Sequence, residues 1–242
     1  MITILKKEIN EFLDSLIAYV VIGVFLVGVS LVMWVLPDYS VLDYGYATME
    51  PLFTLGPYLF MFLVPATTMK SFAEEKKTGT LELLNTLPFK DWEIILGKYL
   101  AAFLLVLFSL LPTIVYYVAI YQLGNPVGNL DTPGIIGSYI GLTLLAGIFV
   151  SIGLLASALT ENQIVSFILA ALLCFLLYDG MEALASIDLW GTWSYYLQQI
   201  GILSHYAAMS KGLLDLKDMG YFFTVIILML MLVDLTLTGK KA

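Results

Sequence analysis

Long apolar stretches without a charged side chain recur along this chain, and they constrain its fold more than any other feature. Six run over 15–37, 51–69, 99–130, 132–160, 162–178 and 219–233. A helix crossing an apolar layer about 30 Å thick needs roughly 20 such residues. The last two stretches are shorter, so their helices are expected to continue past Asp179 and Asp234, with those carboxylates near the interface or turned inward. Hydrophobic residues make up 60% of the chain and charged residues 12%, with a mean hydropathy of +0.94. A soluble domain is about half apolar and a quarter charged. The expected fold class is therefore an all-α integral membrane protein, one bundle of six transmembrane helices over 1–242, with no sizeable soluble domain.

All eleven basic residues are lysines. In a six-span arrangement Lys6, Lys7, Lys70, Lys76, Lys77, Lys90, Lys98, Lys240 and Lys241 fall on one side, and only Lys211 and Lys217 on the other. The positive-inside rule then places both termini and the 70–98 loop in the cytoplasm, with Asp38, Asp43, Glu50 and Asp131 outside. A net charge of −8 and the lack of arginine argue against a nucleic-acid partner.

The opening segment 1–14 is too polar for a secretory signal and reads as retained. Ile2, Leu5, Ile9, Phe12, Leu13 and Leu16 recur at helical spacing, opposite Lys6, Lys7, Asn10, Glu11 and Asp14. That pattern describes an amphipathic helix lying in the interface.

Within the fourth stretch, Gly137 with Gly141, Gly147 with Ser151 and Gly153 with Ser157 form small-xxx-small pairs, which let helix backbones approach closely. Internal packing is the favoured use, and a dimer seam the alternative. Pro57, Pro65 and Pro112 each remove a backbone donor and are expected to bend their helices.

Constellations for catalysis are thin. Cys174 is the single cysteine, inside an apolar run, which excludes an intramolecular disulfide and a cysteine-type zinc site. His205 is the single histidine and is expected to be structural or interfacial. Gly97-Lys98 is followed by Tyr99 and lacks the upstream glycine of a phosphate-binding loop, so the chain is expected to hold no nucleotide and no metal, and not to be an enzyme.

One charged island stands out among the apolar stretches, from Lys70 through Glu74, Glu75, Lys76, Lys77, Gly79, Thr80 and Glu82 to Leu84. Alternating charges around a glycine break describe a short, water-facing helix able to dock on a soluble partner, with Glu74, Glu75 and Glu82 available for basic groups there. The plain alternative is a solvated loop whose lysines set topology. The run Ser71-Phe-Ala-Glu-Glu-Lys-Lys-Thr-Gly-Thr-Leu-Glu-Leu-Leu-Asn-Thr-Leu-Pro88, followed by Glu93-Ile-Ile-Leu-Gly-Lys-Tyr99, resembles the loop after the second helix of ABC type-2 permeases. The segment Ser204-His-Tyr206, with Lys211-Gly-Leu-Leu-Asp215-Leu-Lys217-Asp218 and Tyr221-Phe222, is similar to the entry to the last helix in the gliding-motility (GldF) branch of that family.

The resemblance implies a multi-pass permease of the bacterial inner membrane that couples ATP hydrolysis by a separate subunit to export or to an envelope or motility process. Its implied partners are membrane lipid, a GldA-like cytoplasmic ATPase carrying ATP and Mg, and a GldG-like second permease in a heterodimer. A coupling helix would map onto Glu74, Glu75, Lys76, Lys77, Gly79, Thr80, Glu82 and Leu84. In the segment 180–218 the family forms re-entrant helices that close an outer gate, here Trp190, Trp193, Gly201 and His205, with Ile200, Ile202 and Leu203 dipping into the layer. A plain aromatic belt of Trp190, Trp193, Tyr195, Tyr196, Tyr206 and Tyr221 is the alternative. Two other classes stay open: a secondary transporter using Asp179, Glu182 and Asp234, and a non-transporting ABC assembly that energises an envelope machine. A membrane protease built on Glu74-Glu75 is disfavoured, because that pair lies in a polar loop far from any other ligand.

Overall fold

The computed structural model describes residues 1–37, 39–43, 45–82, 88–187, 191, 193–213 and 215–238. Among these residues all regular structure is helical: α1 (Ile2–Asp14), α2 (Leu16–Trp34), α3 (Glu50–Thr68), α4 (Ala73–Thr78), α5 (Asp91–Leu110), α6 (Ile114–Leu123), α7 (Thr132–Leu159), α8 (Gln163–Phe175), α9 (Met181–Ala185), α10 (Trp193–Ile200), α11 (Ile202–Ser210) and α12 (Leu216–Thr238). A 3₁₀ turn at Leu111–Thr113, carrying Pro112, joins α5 to α6, and a wide π turn at Leu176–Gly180 joins α8 to α9. Six runs are long and apolar enough to cross a membrane: Leu16–Trp34, Glu50–Thr78, Asp91–Leu123, Thr132–Leu159, Gln163–Ala185 and Leu216–Thr238. The last two extend past Asp179 and Asp234, as expected from their short charge-free cores.

The third span starts at Asp91, two turns before the charge-free interval that opens at Tyr99. Two features carry the helix through charge. The Glu93 carboxylate accepts the Lys90 N–H at 3.2 Å and closes the first turn. Lys98, one turn on, is only 2% exposed and is neutralised by carboxylates of other elements.

The bundle is organised around α7. Every residue from Leu145 to Ala158 is buried, and the helix touches α3, α5, α8, α11 and α12. A helix apolar on all sides belongs in an interior. The small residues fit it there: a Cβ on Gly141 would stand 3.2 Å from Met209 Cβ, and one on Gly147 2.9 Å from the Tyr99 hydroxyl, while Gly153 faces Thr68. These small-xxx-small pairs are thus packing within one chain. By contrast α2, α8 and α12 leave apolar faces outward, among them Val24, Val27, Ile168, Leu172, Ile227 and Met231, as suits contact with lipid tails.

Helix α1 differs from the pattern expected of it. Its inward stripe is Ile4, Glu8 and Phe12, laid on α5, whereas Ile2, Leu13 and Leu16 are exposed. The helix has two apolar faces, and the one that docks carries a carboxylate whose partner lies in another helix.

Candidate functional site

The charged island folds as a short helix clamped to the end of α7. Between α3 and α4 the chain turns through residues 69–73, where backbone groups lose their helical partners. Ser157 of α7 supplies them: its hydroxyl donates to Met69 O at 3.0 Å and accepts the N–H groups of Phe72 and Ala73 at 2.9 and 3.0 Å. One donor and two acceptor positions are thereby filled. Lys76 Nζ donates to Ala158 O in the last turn of α7, where carbonyls lack internal partners and the helix dipole favours a cation. Gly79 closes α4 in the left-handed region, φ 74° and ψ 4°, with its N–H on Lys76 O at 3.2 Å. Only glycine takes that conformation freely.

Behind α4 lies a buried charge cluster. Lys98 Nζ of α5 donates to Glu75 Oε1 at 2.8 Å and to Glu8 Oε1 of α1 at 2.9 Å, and stands 5.3 Å from the Phe72 ring centre. Lys7 Nζ, on the solvent side, is 3.4 Å from both Glu75 Oε1 and Glu8 Oε1. Two cations thus face two anions drawn from three helices. Partial burial alone would lower the Lys7 ammonium, but the charges of Glu8, Glu75 and Glu11 outweigh it and hold its pKa above 10.5. Glu75 Oε2 is buried without a hydrogen-bond partner.

The island residues therefore separate. Glu75 and Lys76 are turned inward and engaged with α5, α1 and α7. Glu74, Lys77, Gly79, Thr80 and Glu82 are exposed, with the Thr78 and Thr80 hydroxyls 2.9 Å apart. Leu84 lies outside the described residues. The expectation that Glu75 is available to a soluble partner is corrected by the two ammonium groups already on it. Beside Lys77, the turn from α7 to α8 contributes Thr160, Glu161, Asn162 and Gln163 to a shallow groove. The sequence reading missed this turn, although Glu161 is the one charge between two long apolar stretches.

At the other end of the bundle, Gly201 breaks the chain between α10 and α11 in extended backbone, φ −69° and ψ 142°. Helix α11 is pressed against the first turns of α3 and α7: Tyr206 Oη donates to Phe53 O of α3 at 2.7 Å and Ser138 Oγ of α7 to Ser210 O at 3.0 Å. His205 is buried and ties three helices, with Nδ1 2.6 Å from Asp218 Oδ1, Nε2 3.0 Å from Gln199 O, and its ring stacked on Tyr221 at 3.9 Å. Both ring nitrogens thus have an oxygen partner. Trp193 is 68% exposed and packs near Tyr196, as a belt residue would. Ile202 is buried and Ile200 exposed. Trp190 lies outside the described residues.

Among the described residues no three of His, Cys, Asp and Glu gather as metal ligands would. A search of curated proteins finds no match. Residues 39–238 match the family described as ABC-2 family transporter protein, spanning α3 to α12 with both the clamped α4 and the α11 segment, and the chain belongs to that family of non-catalytic membrane permease subunits.

Proposed function

We propose that the exposed side of α4, with the α7–α8 turn beside it, is where a cytoplasmic ATPase docks, and that this contact couples nucleotide-driven motion to the bundle. Family membership implies an ABC ATPase as partner. The observation that carries the coupling role is the division of the island: Glu74, Lys77, Thr80 and Glu82 face out, while Ser157, Lys76 and the Lys98 cluster bind α4 to α7, α5 and α1. A helix so held moves with the bundle rather than against it. ATP binding that favours one arrangement of the partner subunits would then shift the permease between two states. Lysine placement supports putting this end in the cytoplasm of a bacterial inner membrane, with both termini there. The resemblance to the GldF branch supports a second, GldG-like permease, a GldA-like ATPase, and export or an envelope or motility output. On this reading α10 and α11, with Trp193, Gly201 and His205, close the outer side.

The test is cross-linking from position 77 during purification in nanodiscs, followed by mass spectrometry. Recovery of an ATP-binding-cassette subunit on that position supports the docking surface. The double substitution Glu74→Lys and Glu82→Lys should leave the melting temperature unchanged while permease-stimulated ATP hydrolysis falls; full stimulation in that variant would sink the assignment.

A further inference from the structure

A cleft of 570 Å³ at the α11 end has no part in the docking role of α4, and its lining is chemically specific. It lies between α3, α7, the π turn and α11. Glu50, Thr54 and Tyr58 form one stripe along α3, spaced four residues apart and so spanning about 12 Å of depth. Across from them stand Ser138 of α7, Tyr178 of the π turn and Tyr206 of α11. The volume is that of a small-molecule site.

The two levels of the cleft differ. At the mouth are Glu50 and Asp131, with Lys211 after the end of α11. Deeper, the rings gather: Tyr58 meets Tyr178 edge-on at 5.9 Å, and Tyr178 lies 6.2 Å from Tyr206. The Tyr58 hydroxyl donates to Asp179 Oδ1 at 3.4 Å, and Glu182 stands one turn beyond Asp179. The Asp179 carboxylate thus sits behind an aromatic wall within a membrane-spanning run, on a π turn, a distortion that recurs at functional sites. Two carboxylates, Glu50 and Asp131, line the cleft against one ammonium, Lys211, and a third, Asp179, stands behind the Tyr58 ring.

From this geometry we infer that the cleft binds an organic cation, an ammonium carried on an apolar body, with its charge over the Tyr58 and Tyr178 faces and toward Asp179. Ring faces attract cations, and the carboxylate behind them supplies the counter-charge. A bare metal ion would require several converging oxygens, whereas the deep wall offers aromatic carbon.

The chain in nanodiscs of zwitterionic lipid is titrated calorimetrically with benzyltrimethylammonium and, in parallel, with benzenesulfonate. Saturable binding of the ammonium alone is expected, weakened roughly tenfold by Asp179→Asn and by Tyr58→Leu. Glu74→Lys, at the other end, should leave it unchanged. Tyr58 is 41% exposed, so its truncation spares the core, and Thr54→Trp, which fills the middle of the cleft from an exposed position, should abolish binding if either variant misfolds. Equal binding of the sulfonate, absence of ammonium binding, or ammonium binding indifferent to all three cleft substitutions overturns the proposal. Capture of an ATPase without ammonium binding removes the cleft and leaves the permease reading intact; the reverse result removes the docking surface alone.

Discussion

Lys98 shows how a single residue can decide where a membrane helix begins. A buried ammonium is costly unless paired, and removing one partner of such a pair usually costs about 3 to 5 kcal/mol because the others are stranded. Lys98→Met should therefore lower the melting temperature strongly and expose α1 to protease. Replacing Lys98, Glu8 and Glu75 together by apolar residues should recover most of that loss, which thermal melting of both variants in detergent would check. The rim of the cluster has a defined pH range. Lys7 is held above 10.5, so its contribution is present throughout neutral pH and is lost only as pH rises through that raised value.

At the scale of elements, α1, α4 and α11 are each held by a close approach or a polar clamp rather than by their own helix propensity. Gly97 is the seat of α1: a Cβ there would lie 2.8 Å from Ile4 Cγ2 and 3.5 Å from Leu5 N. Gly97→Ala should cost about 1 to 3 kcal/mol through overpacking, seen as a lower melting temperature and earlier cleavage within α1. Gly137 seats α11, with Met209 O 2.6 Å and Gly212 Cα 3.0 Å from the position a Cβ would take. Both neighbours are backbone and cannot yield, so Gly137→Ala should displace α11, and a cross-link engineered between the two helices should lose efficiency. Ser157→Ala would strand the Phe72 and Ala73 N–H groups, a loss of about 1 to 3 kcal/mol.

Much of this level was legible in the residue order. The six spans, a helix over the opening segment, the break at Gly79 and the packing use of Gly137, Gly141 and Gly147 follow from hydropathy and small-residue spacing. The clamp did not follow, because Ser157 reads as one more small residue and its partners lie more than 80 positions away. Lys98 misled the reading of the third span for the same reason. A charge normally marks a helix end, and nothing nearby announces carboxylates arriving from Glu8 and Glu75. The tyrosine-lined cleft was equally hidden, since Tyr58, Tyr178 and Tyr206 stand far apart in the chain and each alone is an ordinary membrane aromatic.

For the molecule as a whole, family membership and the helical bundle agree on a membrane permease subunit. Its outward apolar faces on α2, α8 and α12 suit contact with lipid, whereas the α4 end carries exposed charge. The α7 rod links the two ends: Thr132–Leu159 is 28 residues, about 42 Å of continuous helix, with Ser157 gripping α4 near one tip and Ser138 gripping α11 near the other. A rigid rod held at both tips is built to act as a lever. A pivot of about 5° about its α4 tip would carry the far tip roughly 3.7 Å by that length, close to the width of one side chain, without breaking a hydrogen bond inside it. A device of this kind amplifies by angle rather than by strain, and spin labels at the two tips would report a fixed separation while the far label alone changes its distance to α2.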